Sequence, residues 1–327
     1  METRKIQSIG GSSFSLILPK KWVTSHKLKD KSEVSISQLR SGQLVLSAAS
    51  QKIIHRQKIA IDGVDGEELV RDVIVSYILG FDEVELCAQT ISSQQRKTVR
   101  QSVQRLMGME IVEESSSNIH LRNFLDPEKF IFKEYLGKMF LMTRLMFADA
   151  INSFLHNNKE LALDVIDRDY EIDRIDFLVS RMKHSLLLGK ISEEQLKTSL
   201  LEASYYESIA KQLERIADHA VKIGRLVETD KMPANAGLDK ALRSASETIV
   251  LLLKEAENFT KLADKKLANK TLKDIKSLSA SSRLLYEQLI KSNFVPALIL
   301  SDSFDRIAGY IVNMAEYTLA QAMINRK

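Results

Sequence analysis

Two pairs of carboxylates are the groups in this sequence whose type and spacing best suit chemistry. Asp169 and Asp173 form one pair, and Glu214 and Asp218 form the other. Residues four positions apart lie on the same face of an α-helix, so each pair presents two carboxylates side by side. Like charges at that spacing destabilise a helix by roughly 0.2–0.5 kcal/mol, so two facing pairs require neighbouring cations.

Bound metal ions are one source of those cations. Carboxylate oxygens suit Mg²⁺ and Mn²⁺ as ligands, and nothing in the sequence selects the ion. The alternative is a solvated acidic face that Arg168, Arg174 and Arg215 neutralise. Asp176 extends the first pair along its helix. An apolar stripe from Leu213 to Val227 lies opposite the second pair, which predicts that the acids point away from the core.

Signatures of enzymes are missing from the sequence. We find no Gly-rich phosphate loop and no Gly-x-Ser-x-Gly elbow, and the single Cys87 excludes a Cys-rich zinc site. His219 follows Asp218, but di-iron carboxylate centres require Glu-x-x-His pairs that do not occur here. We therefore expect no catalytic residues. The alternative is a metal store or metal-dependent enzyme built on the acidic helices, which predicts turnover or large metal loading.

The carboxylate pairs lie in a long helical region. Asp126 can cap and Pro127 can open the first helix, and helical periodicity continues from there. We predict helices at about residues 128–157, 159–188, 192–228, 236–265, 268–291 and 294–326. The pattern repeats after about 100 residues, which predicts two antiparallel three-helix bundles, residues 126–232 and 233–327.

The first 125 residues have a different pattern. Residues 1–50 read as two hairpins, one around Gly10-Gly11 and one around Ser41-Gly42, with a helical turn at Lys20–Val23 between them. So small a unit buries little apolar surface alone, which predicts a homodimer. Residues 51–125 alternate short strands and helices, which predicts a small α/β connector domain. The fold class is multidomain α+β.

Composition and charge place this chain among globular proteins. It has 327 residues, of which 44% are apolar and 28% charged. No apolar run approaches the roughly 20 residues of a membrane-spanning helix, and the start does not resemble a signal peptide, so we expect a cytoplasmic protein without membrane insertion. The net charge of +4 is mild, but residues 1–31 contain seven Lys or Arg against two acids. The first domain is therefore basic.

The helical region resembles the PhoU family. The run Leu213 to Ala220 matches the family's Glu-x-x-x-Asp signature, and the helix before it carries Asp169-x-x-x-Asp173. The resemblance covers about residues 128–327. It implies regulation of phosphate uptake and multinuclear iron or zinc clusters on the bundle surface, with Asp169, Asp173, Glu214 and Asp218 as ligands. The second repeat is degenerate, because Asp305 is followed by Gly309 where a second acid belongs.

Residues 3–48 resemble the swapped-hairpin SpoVT/AbrB transcription factors. The resemblance rests on Arg4-Lys5-Ile6, Gly10, Leu16 to Lys20, Trp22 and Gly42 to Leu46. It implies a dimer of interleaved hairpins whose basic face meets DNA. The implied contacts are Arg4, Lys5, Lys20, Lys21 and Arg40. The combination of this domain with a PhoU-like helical region resembles an archaeal arrangement.

Together the two resemblances imply a DNA-binding transcriptional or signalling regulator of phosphate uptake, whose partners are promoter DNA and a second copy of itself. The alternative is an adaptor that only dimerises through its first domain and docks on a phosphate transporter ATPase or a signalling kinase. The adaptor hypothesis predicts that replacing Lys20 and Lys21 by alanine leaves activity intact.

Overall fold

The computed structural model describes residues 3–38, 42–48, 54–229, 236–275 and 296–324. The chain divides into two compact units, residues 1–53 and residues 54–327. Arg40 and most of the predicted fifth helix lie outside the described residues. None of the described helices is both long enough and apolar enough to cross a membrane.

The first unit contains the two predicted hairpins and the helical turn. Strand β1 (Gln7–Ile9) pairs antiparallel with β2 (Ser13–Ser15), and β3 (Val34–Gln38) pairs antiparallel with β4 (Leu44–Ala48). Helix α1 (Lys20–Ser25) lies between them in the sequence. Gly10 and Gly11 turn the first hairpin at φ of 63° and 80°, which glycine adopts at little cost. No described residue of this unit is buried.

The second unit begins with a four-stranded mixed sheet. Its elements are β5 (Arg56–Ala60), α2 (Gly66–Ile78), β6 (Glu83–Cys87), α3 (Ser93–Gln104), β7 (Met109–Glu114) and β8 (Asn118–Asn123). The strand order is β5-β6-β8-β7, with β5 and β6 parallel and the other pairs antiparallel. Val84 and Leu86 of β6 share one core with apolar residues of α2 and α3. We call this part, residues 54–125, the α/β connector.

Long helices form the rest of the second unit. They are α4 (Phe132–His156), α5 (Lys159–Leu187), the short α6 (Glu193–Leu196), α7 (Leu200–Thr229), α8 (Ala236–Leu262), α9 (265–275) and α10 (Pro296–Ile324). Asn157 ends α4 at φ 48° and Asn158 caps α5, as the Asn-Asn break predicts. The predicted helix 192–228 is wrong in one respect, because Lys197 at φ 50° separates α6 from α7.

One continuous core runs through both predicted bundles. Helices α4, α5 and α7 pack together, while α7 also packs on α10 and α4 on α8. The Phe147 ring of α4 meets the Phe304 ring of α10 edge-on, with 5.6 Å between centroids. Helices α4 and α7 carry buried residues on more than one face, because they also pack on α8 and α10. The boundary at residues 232/233 stays a prediction.

The α/β connector is attached to α5 by buried contacts. The Arg181 guanidinium donates to the carbonyl oxygens of Tyr77 at 2.7 Å and Phe81 at 3.0 Å. It also lies over the Tyr77 ring, 4.9 Å from the centroid. Lys190 Nζ donates to the Leu79 carbonyl at 2.8 Å. These cations satisfy carbonyl groups at the C-terminal end of α2, which fixes the connector to the first bundle.

Candidate functional site

Helices α5 and α7 bring the two predicted carboxylate pairs together. The helices pack antiparallel, as shown by the ion pairs from Lys211 to Asp176 and from Lys183 to Glu207. The carboxylates that influence one another across this contact are Asp169, Asp173 and Asp176 of α5 with Glu214 and Asp218 of α7. We call these five residues the acidic cluster. It contains all four predicted metal ligands.

The cluster is only partly neutralised. Burial raises the pKa of Asp169 to about 6, and the charges of Asp173 and Asp218 add to the rise. Burial also raises the pKa of Asp176 to about 6, against the opposing effect of Lys211. The pKa values of Glu214 and Asp218 are raised as well, first by burial. An additional cation at the cluster would therefore stabilise the folded protein.

Two carboxylate oxygens in the cluster lack hydrogen-bond partners among the described residues. These are Oδ1 of Asp169 and Oδ1 of Asp176, and both atoms are buried. An unpaired buried polar atom costs about 1–3 kcal/mol, and more when it is charged. This cost and the raised pKa values identify α5 and α7 as the place where the protein tolerates unfavourable charge, which is typical of functional sites.

Among the described residues, Lys211 and Arg105 form ion pairs with the cluster. Lys211 Nζ lies 2.9 Å from Glu214 and 3.5 Å from Asp176. Arg105, from the end of α3 in the α/β connector, forms an ion pair with Asp173. With the side chains in these positions, no three His, Cys, Asp or Glu side chains of the described residues are grouped to hold a metal ion.

The expectation that the acids point away from the core holds for Asp218 but not for Asp176. Asp176 is only 5% exposed, and Asp169, Asp173 and Glu214 are half-buried, while Asp218 is exposed. The reason is that the acidic faces of α5 and α7 pack against each other. An apolar stripe on one helix locates the main core, but it does not reveal what covers the opposite side.

The arginines expected to neutralise the acids contact other groups. Arg168 pairs with Asp149 at 2.6 Å and with Asp164 at 2.7 Å. Arg174 pairs with Glu171 at 2.9 Å, and Arg215 lies over the Tyr310 ring, 5.8 Å from its centroid. Lys211, three residues before Glu214, could have been found from helical spacing. No local signal pointed to Arg105.

His219 lies outside the acidic cluster. Its ring is buried against α10, with Nδ1 3.0 Å from the Ser303 hydroxyl. Burial lowers the pKa of His219 to about 4, so the ring is neutral at physiological pH. The residue follows Asp218 in sequence but faces a different helix, which is consistent with core packing.

The other predicted site residues lie apart from the cluster. Asp305 is exposed on α10, where partial burial and the charge of Asp302 raise its pKa. In the first unit, Lys20 and Lys21 open α1, and both side chains are exposed. Arg4 and Lys5 are exposed as well. The structure thus leaves the predicted DNA-binding side chains accessible wherever it describes them.

The helices that carry the acidic cluster have recognisable relatives. Residues 136–227 match the PhoU domain family. This segment includes both carboxylate pairs, so the predicted PhoU resemblance is confirmed there. The fold is similar to the crystal structure of PhoU from Pseudomonas aeruginosa, with a TM-score of 0.52 and 18% identity over 59% of this chain and 96% of that chain.

A second PhoU structure is more distant. It is the phosphate transport system regulatory protein PhoU from Streptococcus pneumoniae, with a TM-score of 0.43 and 16% identity over 58% of this chain and 89% of that chain. No protein of curated function matches the chain. The PhoU likeness at these identities concerns the fold of the helices, and the SpoVT/AbrB resemblance of residues 3–48 stays a prediction.

Proposed function

We propose that this protein is a DNA-binding transcriptional or signalling regulator of phosphate uptake. The observation that carries the phosphate part of the proposal is the match of residues 136–227 to the PhoU domain family, because resemblance to PhoU implies regulation of phosphate uptake. In this account the helices relay phosphate status through a partner protein, and residues 1–50 bind promoter DNA.

The charge of the first unit supports the DNA-binding part of the proposal. The side chains of Arg4, Lys5, Lys20 and Lys21 are exposed. Lysine and arginine neutralise DNA phosphates and release counterions, which gives salt-dependent binding without a base-reading helix. Helix α1, with six residues, is too short to read bases along a groove, so hairpins and lysines make the contact.

The apolar surface of the first unit supports a homodimer. Ile6, Phe14 and Ile17 are 65%, 71% and 64% exposed. Two isolated two-stranded hairpins do not form a stable core in water. Covering these side chains with a second copy gains roughly 25 cal/mol for each Å² of apolar surface removed from water. A symmetric dimer would also place two sets of lysines on one DNA.

A bound metal ion at the acidic cluster belongs to the same proposal through the chemistry of the donors alone, since the described side chains are not grouped to hold one. Asp169, Asp173, Glu214 and Asp218 offer only carboxylate oxygens, which suit Mg²⁺ or Mn²⁺ and also occur in iron and zinc sites. Added positive charge near the unpaired buried oxygens of Asp169 and Asp176 would favour their charged forms. A bound ion would offset part of the negative charge of these carboxylates on α5 and α7.

The DNA-binding part is tested by fluorescence anisotropy with purified full-length protein. The probes are DNA from upstream of its own gene and from upstream of phosphate-transporter genes, at salt concentrations from about 50 to about 200 mM. The Lys20→Ala/Lys21→Ala double variant is expected to bind roughly tenfold more weakly, with a shallower salt dependence, because each lost phosphate contact reduces counterion release.

A matched control removes the same charge elsewhere in the first unit. The Lys27→Ala/Lys29→Ala variant is expected to bind within about twofold of the unmodified protein if the effect belongs to Lys20 and Lys21. Selective binding that weakens as the salt concentration rises supports the proposal that the first unit binds promoter DNA. No selective binding at low salt contradicts it and favours the adaptor that docks on a phosphate transporter ATPase or a signalling kinase.

A further inference from the structure

The turn between α8 and α9 carries a concentration of lysines. Residues 258–273 contain five lysines and a single acid, Asp264. Asp264 is engaged as the cap of α9, because its Oδ1 accepts a hydrogen bond from the backbone N–H of Lys266 at 2.8 Å. Lys261 and Lys266 are exposed, and Lys265 is half-buried. The turn is therefore strongly basic.

The start of α4 adds a fourth lysine to this place. Lys133 is exposed, and its Nζ donates to the Lys261 carbonyl oxygen at 3.4 Å. We call the following four residues the basic tip: Lys133, Lys261, Lys265 and Lys266. Within the described part of the chain, no acid forms an ion pair with any of the four, whereas Lys270 on α9 pairs with Glu255 at 2.6 Å. The charge of the tip is therefore open to solvent.

Helix stability does not explain the lysines of α9. Lys265 and Lys266 occupy the first turn of that helix, where the helix dipole favours acids and disfavours cations. Helix α2 follows the usual preference, with Glu67 and Glu68 in its first turn. A local arrangement that works against stability is typical of a surface with a function.

An apolar side chain projects from the middle of the basic tip. Leu262 is the last residue of α8 and is 71% exposed. It follows Lys261 directly, and Ala263 then turns the chain at φ 50° toward Lys265. The tip thus combines a leucine with surrounding lysines, a pattern that suits a surface with a charged layer over an apolar one.

The last turn of α10 lies at the same end of the bundle. The Tyr206 hydroxyl accepts a hydrogen bond from Nε2 of Gln321 at 3.3 Å, and the Tyr206 ring lies 5.5 Å from the Phe132 ring. Helix α10 therefore ends where α4 begins. Met323 and Ile324 in that last turn are 65% and 46% exposed. Exposed apolar side chains of two helices thus lie at the end that carries the basic tip.

We propose that this end of the helical bundle docks on an anionic phospholipid surface. The lysines of the basic tip attract lipid phosphates, and Leu262 enters the boundary between headgroups and acyl chains. DNA would satisfy the lysines but offers no apolar layer for Leu262, so the observations favour lipid. A surface contact of this kind needs no membrane-spanning helix. It places the PhoU-like helices at the membrane.

The test is flotation of purified full-length protein with vesicles of phosphatidylglycerol and phosphatidylcholine in equal parts. The Lys261→Ala/Lys266→Ala variant is expected to bind roughly 10- to 30-fold more weakly than the unmodified protein, because each lysine near an anionic surface contributes a similar attraction. Binding of the unmodified protein is expected to weaken as salt rises and to be absent with phosphatidylcholine alone.

Two further variants separate the parts of the contact. Leu262→Ser keeps the charge and is expected to bind roughly 3- to 10-fold more weakly, because the apolar contribution is lost. Lys159→Ala/Lys240→Ala is the matched control for charge, since both lysines are exposed. They lie near the opposite end of the bundle, where Arg243 is 3.3 Å from His156. The control is expected to bind within about twofold of the unmodified protein.

A fluorescent label supplies a readout that identifies the contacting surface. Cys87 is the only cysteine in the sequence, so Leu262→Cys in a Cys87→Ser background carries a polarity-sensitive dye at one position. The dye emission is expected to shift to the blue with anionic vesicles, because the label leaves water. The same dye at Lys159→Cys is expected to show no shift. Circular dichroism melting verifies that each variant is folded.

Three results would overturn the lipid contact. The first is equal vesicle binding by the unmodified protein and Lys261→Ala/Lys266→Ala. The second is loss of vesicle binding in Lys20→Ala/Lys21→Ala alone, which would assign the contact to the first unit. The third is a tip variant that binds DNA more weakly but vesicles normally, which would make the tip a nucleic-acid surface. Weaker vesicle binding by both tip variants, together with the dye shift at residue 262, would establish it.

Discussion

Replacing Arg181 by alanine is expected to lower the free energy of unfolding by about 3–5 kcal/mol. The side chain is 4% exposed and donates to the carbonyl oxygens of Tyr77 and Phe81. Its loss leaves these carbonyls without their donor and removes the cation over the Tyr77 ring. Urea unfolding followed by circular dichroism measures the change.

The matched control for Arg181 is Arg174→Ala on the same helix. Arg174 pairs locally with Glu171, and its side chain is 29% exposed, so the expected loss is below about 1 kcal/mol. Because Arg181 links the α/β connector to α5, the connector of Arg181→Ala should also unfold at lower urea than the helices. A change below about 1 kcal/mol for Arg181→Ala would mean that the buried contacts do not hold the connector in place.

Replacing Asp169 by asparagine is expected to stabilise the metal-free protein by about 2 kcal/mol near pH 8. The pKa of Asp169 is raised to about 6 in the folded protein, above its ordinary value. The folded state therefore binds more protons than the unfolded state between about pH 4 and pH 6, and stability falls as pH rises through this window. Asparagine does not ionise, so the stability of the variant does not fall across this pH window.

Thermal melts from about pH 4 to pH 8 measure this effect. The difference between Asp169→Asn and the unmodified protein should be largest above pH 6, where the carboxylate is charged, and close to zero near pH 4. Asp167→Asn is the matched control, because Asp167 is exposed on the same helix. It should change stability by less than about 0.5 kcal/mol at any pH. If Asp169→Asn were less stable than the unmodified protein at pH 8, the charged Asp169 carboxylate would not be destabilising the folded protein.

Local signals predicted much of the fold. The Asn157-Asn158 break acts through backbone conformation and capping within a few residues, and it occurs as expected. The Asp126-Pro127 start is wrong as the start of the long helix, because it begins a short 3-10 helix, Pro127–Lys129, and α4 begins only at Phe132. The separation of α6 from α7 had no such signal, because Lys197 carries no preference for its left-handed backbone. The core shared by α4, α7, α8 and α10 depends on tertiary packing, which a repeat in the sequence does not specify.

The candidate site could likewise be predicted only in part from the sequence. Spacing along one helix predicted each carboxylate pair, and the structure places both pairs in one cluster. Burial of Asp176 between α5 and α7 depends on how those helices face each other. Arg105 is 68 residues from Asp173 in the sequence, so only the docked connector brings the two together. Helical periodicity predicts which carboxylates share a helix face, but not which cations a neighbouring domain supplies.

Phosphate uptake by living cells tests the proposed regulatory function directly. The most direct measurement is uptake of radiolabelled phosphate by cells that lack the gene, grown with abundant or scarce phosphate and complemented with the unmodified protein or with Lys20→Ala/Lys21→Ala. We predict that uptake in the deletion strain no longer follows external phosphate, that the unmodified protein restores the response, and that the double variant does not. Uptake that responds normally in the deletion strain would contradict the account.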